Sequence, residues 1–352
     1  MLNFIKKRII KQIIKYQVDK PINNAKYKKK VFSKTKFLLN KFGNKNPKKI
    51  FYVIKVDKNG GGGLFSNVLF VLNHLKICER HKFIPVVDME NFPTRYNEKN
   101  KIDNTYNSWE YYFEKVSKFS LNEVYSSKNV ILTDGFINEE MAINYKSDKD
   151  IYKLYNKYIK IKKKFLINTK KFSLKHFKNK KVLAVHFRGT SMKTIPKHPL
   201  PPTPNQIIGL IDEAIIKYKF DKIFLITDEL NYLNLFKKKY KKILCYRNSF
   251  RSNKSKIFDL NVRKLHRYNM GVDALEDTLL MSKLEFLICS RSNMSEVASL
   301  MINKKMRVIE IWNGFNPNKI LYSQFNWKLR KNLPESFGGF KKKLNLIFSK
   351  KK

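Results

Sequence analysis

Three short apolar runs in the C-terminal half each end in small polar or charged residues. The first, Val182 to Val185, continues into His186, Phe187, Arg188, Gly189 and Thr190. The second ends in Thr227, Asp228 and Glu229, and the third in Ser290, Arg291, Ser292 and Asn293. Runs of this length without alternation predict strands buried on both faces. Helical spacing lies between and around them: residues 204–218 behind a Thr203 cap, residues 230–240, and residues 273–283. This alternation of strand and helix predicts a parallel sheet covered by helices. Such sheets receive ligands beyond the carboxyl ends of their strands, where these polar residues stand.

The N-terminal half repeats the pattern more loosely. Residues 50–56 read as a strand, Gly60–Gly63 as a glycine turn, and residues 64–80 as an apolar helix, with a second short strand ending at Asp88. Glycines between strand and helix let a backbone approach a ligand closely, which draws attention to Gly62, Gly63 and Asn67. The turn is neither a phosphate-binding Walker loop nor a dinucleotide fingerprint. An aromatic stretch, residues 104–113, offers Trp109 and Glu110 for stacking on and bonding to sugar rings, and core packing is the competing use of these side chains. The lysine- and tyrosine-rich stretch from Asp148 to Phe172 ends this half. The expected division is therefore a basic segment at 1–48, an α/β domain at 49–175 and a second α/β domain at 176–352.

Charge changes the picture at one end. The chain has 74 Lys and Arg against 28 Asp and Glu, a net +46, spread along its length. Such a field attracts polyanions, nucleotides and anionic membranes alike. Residues 1–50 hold 15 Lys and one Arg against a single Asp, and Leu2, Ile5, Ile9, Ile13 and Tyr16 recur at helical spacing. An amphipathic basic helix over residues 1–18 is expected, suited to an anionic membrane surface or to docking on the protein itself. The implied home is the cytoplasm, peripheral at a membrane. Cys78, Cys245 and Cys289 have apolar neighbours and no metal-ligand spacing, which fits a reducing compartment.

Three blocks carry a family resemblance: His186-Phe-Arg-Gly-Thr190, Ile226-Thr-Asp-Glu229, and the longer Asp277-Thr-Leu-Leu-Met-Ser-Lys-Leu-Glu-Phe-Leu-Ile-Cys-Ser-Arg-Ser-Asn293. Together they resemble the nucleotide-sugar domain of the fucosyltransferases that include the core α1,6-fucosyltransferase and the rhizobial nodulation enzyme. The resemblance implies a GT-B fold of two Rossmann-like domains facing a cleft, GDP-fucose as donor, a glycan acceptor, inversion at the anomeric carbon, and neither metal nor other cofactor. It assigns His186 and Asp277 to the guanine end and Arg188 to the diphosphate. It gives Ser292 and Asn293 to the phosphates, adds Gly189, Thr190 and Ser290 and, in a glycine-rich loop like the family's, Gly62, Gly63 and Asn67 to the donor site, and places Asp228 in the inner shell. The chemistry agrees: a carboxylate accepts two hydrogen bonds from a guanine edge, and a guanidinium neutralises a departing diphosphate.

The chain departs from the family after Thr190. The usual acid is replaced by Ser191-Met192-Lys193, and no carboxylate follows until Asp212. Lys193 is a candidate for a missing cation, whereas Asp228, Glu229 and Glu110 are candidates for the base that takes the acceptor's proton. The proline-rich stretch 196–204 reads as a stiff loop, with His198 structural. Two other classes stay open: a basic nucleic-acid-binding protein, supported by charge alone and without a specific nucleic-acid motif, and a donor-binding relic without turnover.

Overall fold

The structure, a computed structural model, describes residues 37–56, 61–133, 151–254, 257–260, 262–301 and 306–351. The basic helix expected over residues 1–18 lies outside the described residues. The described residues form two compact units: one of 37–56, 61, 70–111 and 115–133, the other of 62–69, 112–114 and the described residues from 151 onward.

The first unit holds a sheet in the order β1-β4-β2-β3, made of Leu39–Asn40 (β1), Lys45–Ile54 (β2), Ile84–Val87 (β3) and Ser127–Leu132 (β4). β2 runs parallel to both β3 and β4, and β1 is antiparallel to β4. Phe51, Val53, Val86, Val124 and Val130 build the core on one face of the sheet. Asp88, just beyond β3, is wholly buried. It accepts the Tyr125 hydroxyl at 2.7 Å and the amides of Glu90 and Asn91, so it fastens a turn.

The second unit holds a six-stranded sheet, ordered β10-β9-β8-β5-β6-β7. Its strands are Val182–His186 (β5), Lys222–Ile226 (β6), Leu244–Cys245 (β7), Phe286–Ser290 (β8), Met306–Ile311 (β9) and Ser349–Lys351 (β10). All neighbours are parallel except β10 on β9. Side chains alternate along β5. Leu183 and Val185 pack with the helices Pro204–Tyr218 and Leu230–Tyr240, whereas Val182 and Ala184 pack with the helix His266–Met281. Every residue of β5 is buried, as the unbroken apolar run requires.

The helix Pro204–Tyr218 starts where its cap predicts. Thr203 Oγ1 accepts the Gln206 amide, the Gln206 side chain accepts the Thr203 amide, and Pro204 occupies the first turn. The helix His266–Met281 begins seven residues earlier than its apolar spacing indicates.

The division also differs from the expected one at 175. The helices Ile151–Tyr158 and Lys163–His176 belong to the second unit, since Phe172 packs on that unit's core and Asn168 donates to Glu276 at 3.0 Å. All three cysteines are free and buried. Burial raises the Cys78 thiol far above its ordinary range and that of Cys245 to about 12.

Candidate functional site

Strand order identifies the functional edge of the second unit. The chain runs from β5 outward to β6 and β7, then returns to the other side of β5 for β8 and β9. The sheet therefore reverses between β5 and β8, and a crevice opens outside the carboxyl ends of strands at such a switch point. His186 ends β5 opposite Cys289 of β8. Its Nδ1 lies 3.3 Å from the Ser292 hydroxyl, which ties the two strand ends together. The imidazole is almost wholly buried, and burial, reinforced by the Arg188 charge and opposed by Asp228, lowers its pKa to about 3. His186 is thus neutral at physiological pH, with one ring nitrogen a donor and the other an acceptor.

The loop after β5 is clamped from β6. Asp228 Oδ1 accepts the Gly189 amide at 3.0 Å, and its Oδ2 accepts the Thr190 hydroxyl at 2.8 Å. Arg188 pairs with the same carboxylate through Nη2 at 3.8 Å, and about a third of its side chain remains exposed. Glu229 accepts the Thr190 amide at 2.8 Å and the Lys193 ammonium at 2.6 and 2.8 Å. Thr190 is held at φ 40, a left-handed conformation that costs a β-branched residue about 1–3 kcal/mol. Gly189 is required by space: a Cβ there would lie 1.9 Å from Glu229 Oε2 and 2.8 Å from the Tyr232 ring. That ring stacks on Phe187 at 3.8 Å and 4°.

This arrangement redistributes the expected roles. Lys193, a candidate cation for the diphosphate, has its ammonium against Glu229 and the faces of Tyr232 and Trp327, at 4.6 and 4.8 Å. Asp228 and Glu229, candidates for the base, each accept a backbone amide of the loop. Arg188, by contrast, stays partly exposed.

At the end of β8, Ser290 is buried and Ser292 caps the helix Asn293–Met301. Its Oγ accepts the Ser295 amide at 3.2 Å, and its carbonyl accepts the Glu296 amide at 3.0 Å. Asn293 Nδ2 donates to Ser66 Oγ at 2.7 Å, which brings the glycine-rich segment to this strand end. Within that segment, Asn67 is buried and accepts the Gly62 amide at 3.2 Å, and the Asn67 amide donates to the Gly63 carbonyl at 3.0 Å. Gly62, Gly63 and Asn67 thus form one locked turn.

Asp277 belongs to a buried charge cluster. Its Oδ1 accepts from Arg247 Nη1 at 3.1 Å, and Oδ2 accepts from Ser249 at 3.4 Å. Arg247 also pairs with Glu276, and Arg263 with Asp273. Burial raises the Asp277 pKa, and Arg247 works against that rise. The arginines of this cluster were missed by motif reasoning. The strand-end rule that picks out Arg188 applies equally to Arg247, two residues beyond β7, but a strand of only two residues carries little apolar signal.

The acceptor-side candidates need correction. Trp109 is 2 % exposed and offers no open face for a sugar ring. Its amide donates to Asn107 Oδ1, and Asn107 Nδ2 donates to Glu110 Oε1 at 3.2 Å, so Trp109 is a packed residue of the first unit and Glu110 is tied to the same turn. Among the described residues no cluster of His, Cys, Asp and Glu is arranged to hold a metal ion. The one Asp-x-Asp triplet of the chain, Asp148-Lys149-Asp150, lies outside them.

No protein-family model matches the chain, and no curated protein does. Among solved structures the chain is similar to NodZ alpha-1,6-fucosyltransferase co-crystallized with GDP, at 14 % identity over 77 % of this chain and 97 % of that one, with a TM-score of 0.49. The same enzyme from Bradyrhizobium, as its selenomethionine form, matches at 14 % identity over 75 % and 95 %, with a TM-score of 0.46. A mutant of Arabidopsis thaliana FUT1 in complex with GDP matches at 11 % identity over 89 % and 80 %, with a TM-score of 0.42. The chain is thus similar, at low identity, to solved fucosyltransferases.

Proposed function

We propose that the chain is an inverting glycosyltransferase that moves fucose from GDP-fucose to a hydroxyl of a glycan. The observation that carries this is Arg188, a partly exposed guanidinium held at the switch point of a parallel sheet by a carboxylate just beyond the neighbouring strand. The three sequence blocks resembling fucosyltransferases name the donor.

In this reading the bond from the anomeric carbon to the diphosphate oxygen breaks as the acceptor oxygen attacks the opposite face and its hydroxyl proton passes to solvent water. Negative charge then gathers on the leaving GDP. Arg188 offers two parallel N–H donors to it, positioned before the reaction and therefore without reorganisation at the barrier. Asp228 and Glu229 hold the backbone that carries Arg188 and supply rigidity rather than proton transfer. The neutral His186 and the Ser292 hydroxyl line the same strand ends. Asp277 accepts from the guanine edge, steadied by Arg247. The arginine takes the place of a divalent ion on the diphosphate, so turnover is metal-independent.

Calorimetry with GDP and GDP-fucose, followed by GDP release in the presence of an oligosaccharide panel, tests this. Micromolar GDP binding that resists salt, and falls at least about a hundredfold in Arg188→Ala, is expected. Binding only to a DNA duplex, with steep salt dependence, would overturn it. GDP binding without release in any condition would leave a donor-binding relic instead.

A further inference from the structure

The helix Ile320–Asn332 has two faces of different character. Ser323 and Trp327, four residues apart, face inward. Ser323 Oγ donates to the Thr194 carbonyl and Trp327 Nε1 to the Pro201 carbonyl, both at 2.8 Å, while the Trp327 ring packs with Leu200 and Phe340. Leu321, Phe325 and Leu329, at i, i+4 and i+8, form the outer stripe and are 74, 66 and 58 % exposed. Phe337, in the turn after the helix, is 76 % exposed. Arg330 secures that turn by donating through Nε to the Gly338 carbonyl at 2.9 Å. Single exposed apolar residues are ordinary on a soluble surface, but a continuous stripe marks an interaction site.

Charge decides the occupant. Residues 312–343 contain seven Lys and Arg and one acid, Glu335. Lys319, Lys328, Lys331 and the run Lys341–Lys343 are all exposed. A second copy of the chain, at net +46, is repelled from such a face, and so is the chain's own lysine-rich N-terminal segment. An apolar stripe flanked by lysines complements an anionic bilayer, with the side chains entering the headgroup boundary and the ammonium groups meeting phosphates. The helix has 13 residues, too few to span the hydrocarbon, so it lies in the interface.

We propose that the outer face of the helix Ile320–Asn332, with Phe337, docks the protein on an anionic phospholipid surface. This does not depend on the donor. Its inner face holds the Thr194 and Pro201 segment that continues from the Arg188 loop, so the docked helix and the candidate site share one rigid support.

The test uses the full chain and vesicles of phosphatidylcholine, with or without about a third phosphatidylglycerol. Wild-type protein is expected to sediment with the anionic vesicles, and Leu321→Ser/Phe325→Ser/Leu329→Ser to bind about a hundredfold more weakly. As a local probe that the N-terminal segment cannot mimic, Phe325→Trp is expected to add tryptophan emission that brominated lipid quenches. Triple-variant binding equal to wild type, no quenching in Phe325→Trp, or equal binding to neutral vesicles would each overturn the proposal. So would a loss of self-association in the triple variant with vesicle binding unchanged.

Discussion

Asp228 Oδ2 accepts the hydroxyl of Thr190 at 2.8 Å, across from the Gly189 amide that the other oxygen accepts at 3.0 Å. One carboxylate two residues beyond β6 thus fixes two consecutive residues of the loop after β5, the second of them in a left-handed conformation. Replacing it with alanine frees the loop to relax toward ordinary backbone angles. Asp228→Ala is expected to lower stability by about 1–3 kcal/mol and GDP affinity by roughly tenfold or more. Chemical denaturation and calorimetry on the same preparation check both.

Gly189→Ala tests the space rather than the backbone angle. The added methyl meets Glu229 Oε2, which is already bound to the Thr190 amide and Lys193, and a Tyr232 ring stacked on Phe187. Neither neighbour yields without losing a contact. A cost of about 2–3 kcal/mol is expected, read as a lower urea midpoint with unchanged slope.

Arg247 is the cation facing Asp277 and Glu276 in the buried cluster. Arg247→Met leaves two carboxylates there without that partner, and a loss of about 3–5 kcal/mol is expected. Adding Asp277→Asn to this variant recovers part of the loss, since one uncompensated charge disappears. Denaturation of the four members of this double-mutant cycle measures the coupling directly.

Acid should destabilise the protein through its buried imidazoles. His186 and His74 both have pKa values lowered to about 3, in each case chiefly by burial, whereas an unfolded histidine titrates near 6.5. Between these limits the unfolded chain binds more protons, so their stabilising effect is complete above about pH 6.5 and is lost as pH falls toward 3. Asp88 and Asp277, raised by burial, pull the opposite way at the lower end of this window. The melting temperature is expected to fall steadily from pH 7 to 5, and His186→Asn to flatten that slope. An unchanged slope in the variant would remove His186 from the account.

The second unit was largely legible because its strands are buried on both faces and end in polar residues. Val182–His186 adds one residue to the apolar run that announces it, Lys222–Ile226 stops just before Thr227 where the second run ends, and Thr203 caps its helix as its position predicts. What stayed hidden is set by tertiary contact. Lys193 looked like a free loop cation until Glu229, 36 residues away, was brought against it. Trp109 sits in an aromatic stretch whose inward and outward faces cannot be told apart without a fold. The cluster around Arg247 joins a two-residue strand end to the helix His266–Met281, a pairing that no local spacing encodes.

The three buried cysteines give the protein a practical advantage. With every native thiol enclosed, and those of Cys78 and Cys245 strongly disfavoured as thiolates, a maleimide or spin label at neutral pH will find little to attack in the folded state. A cysteine introduced at Leu321 would be the sole reactive handle. Distance and depth measurements on the outer helix therefore need no cysteine-free background.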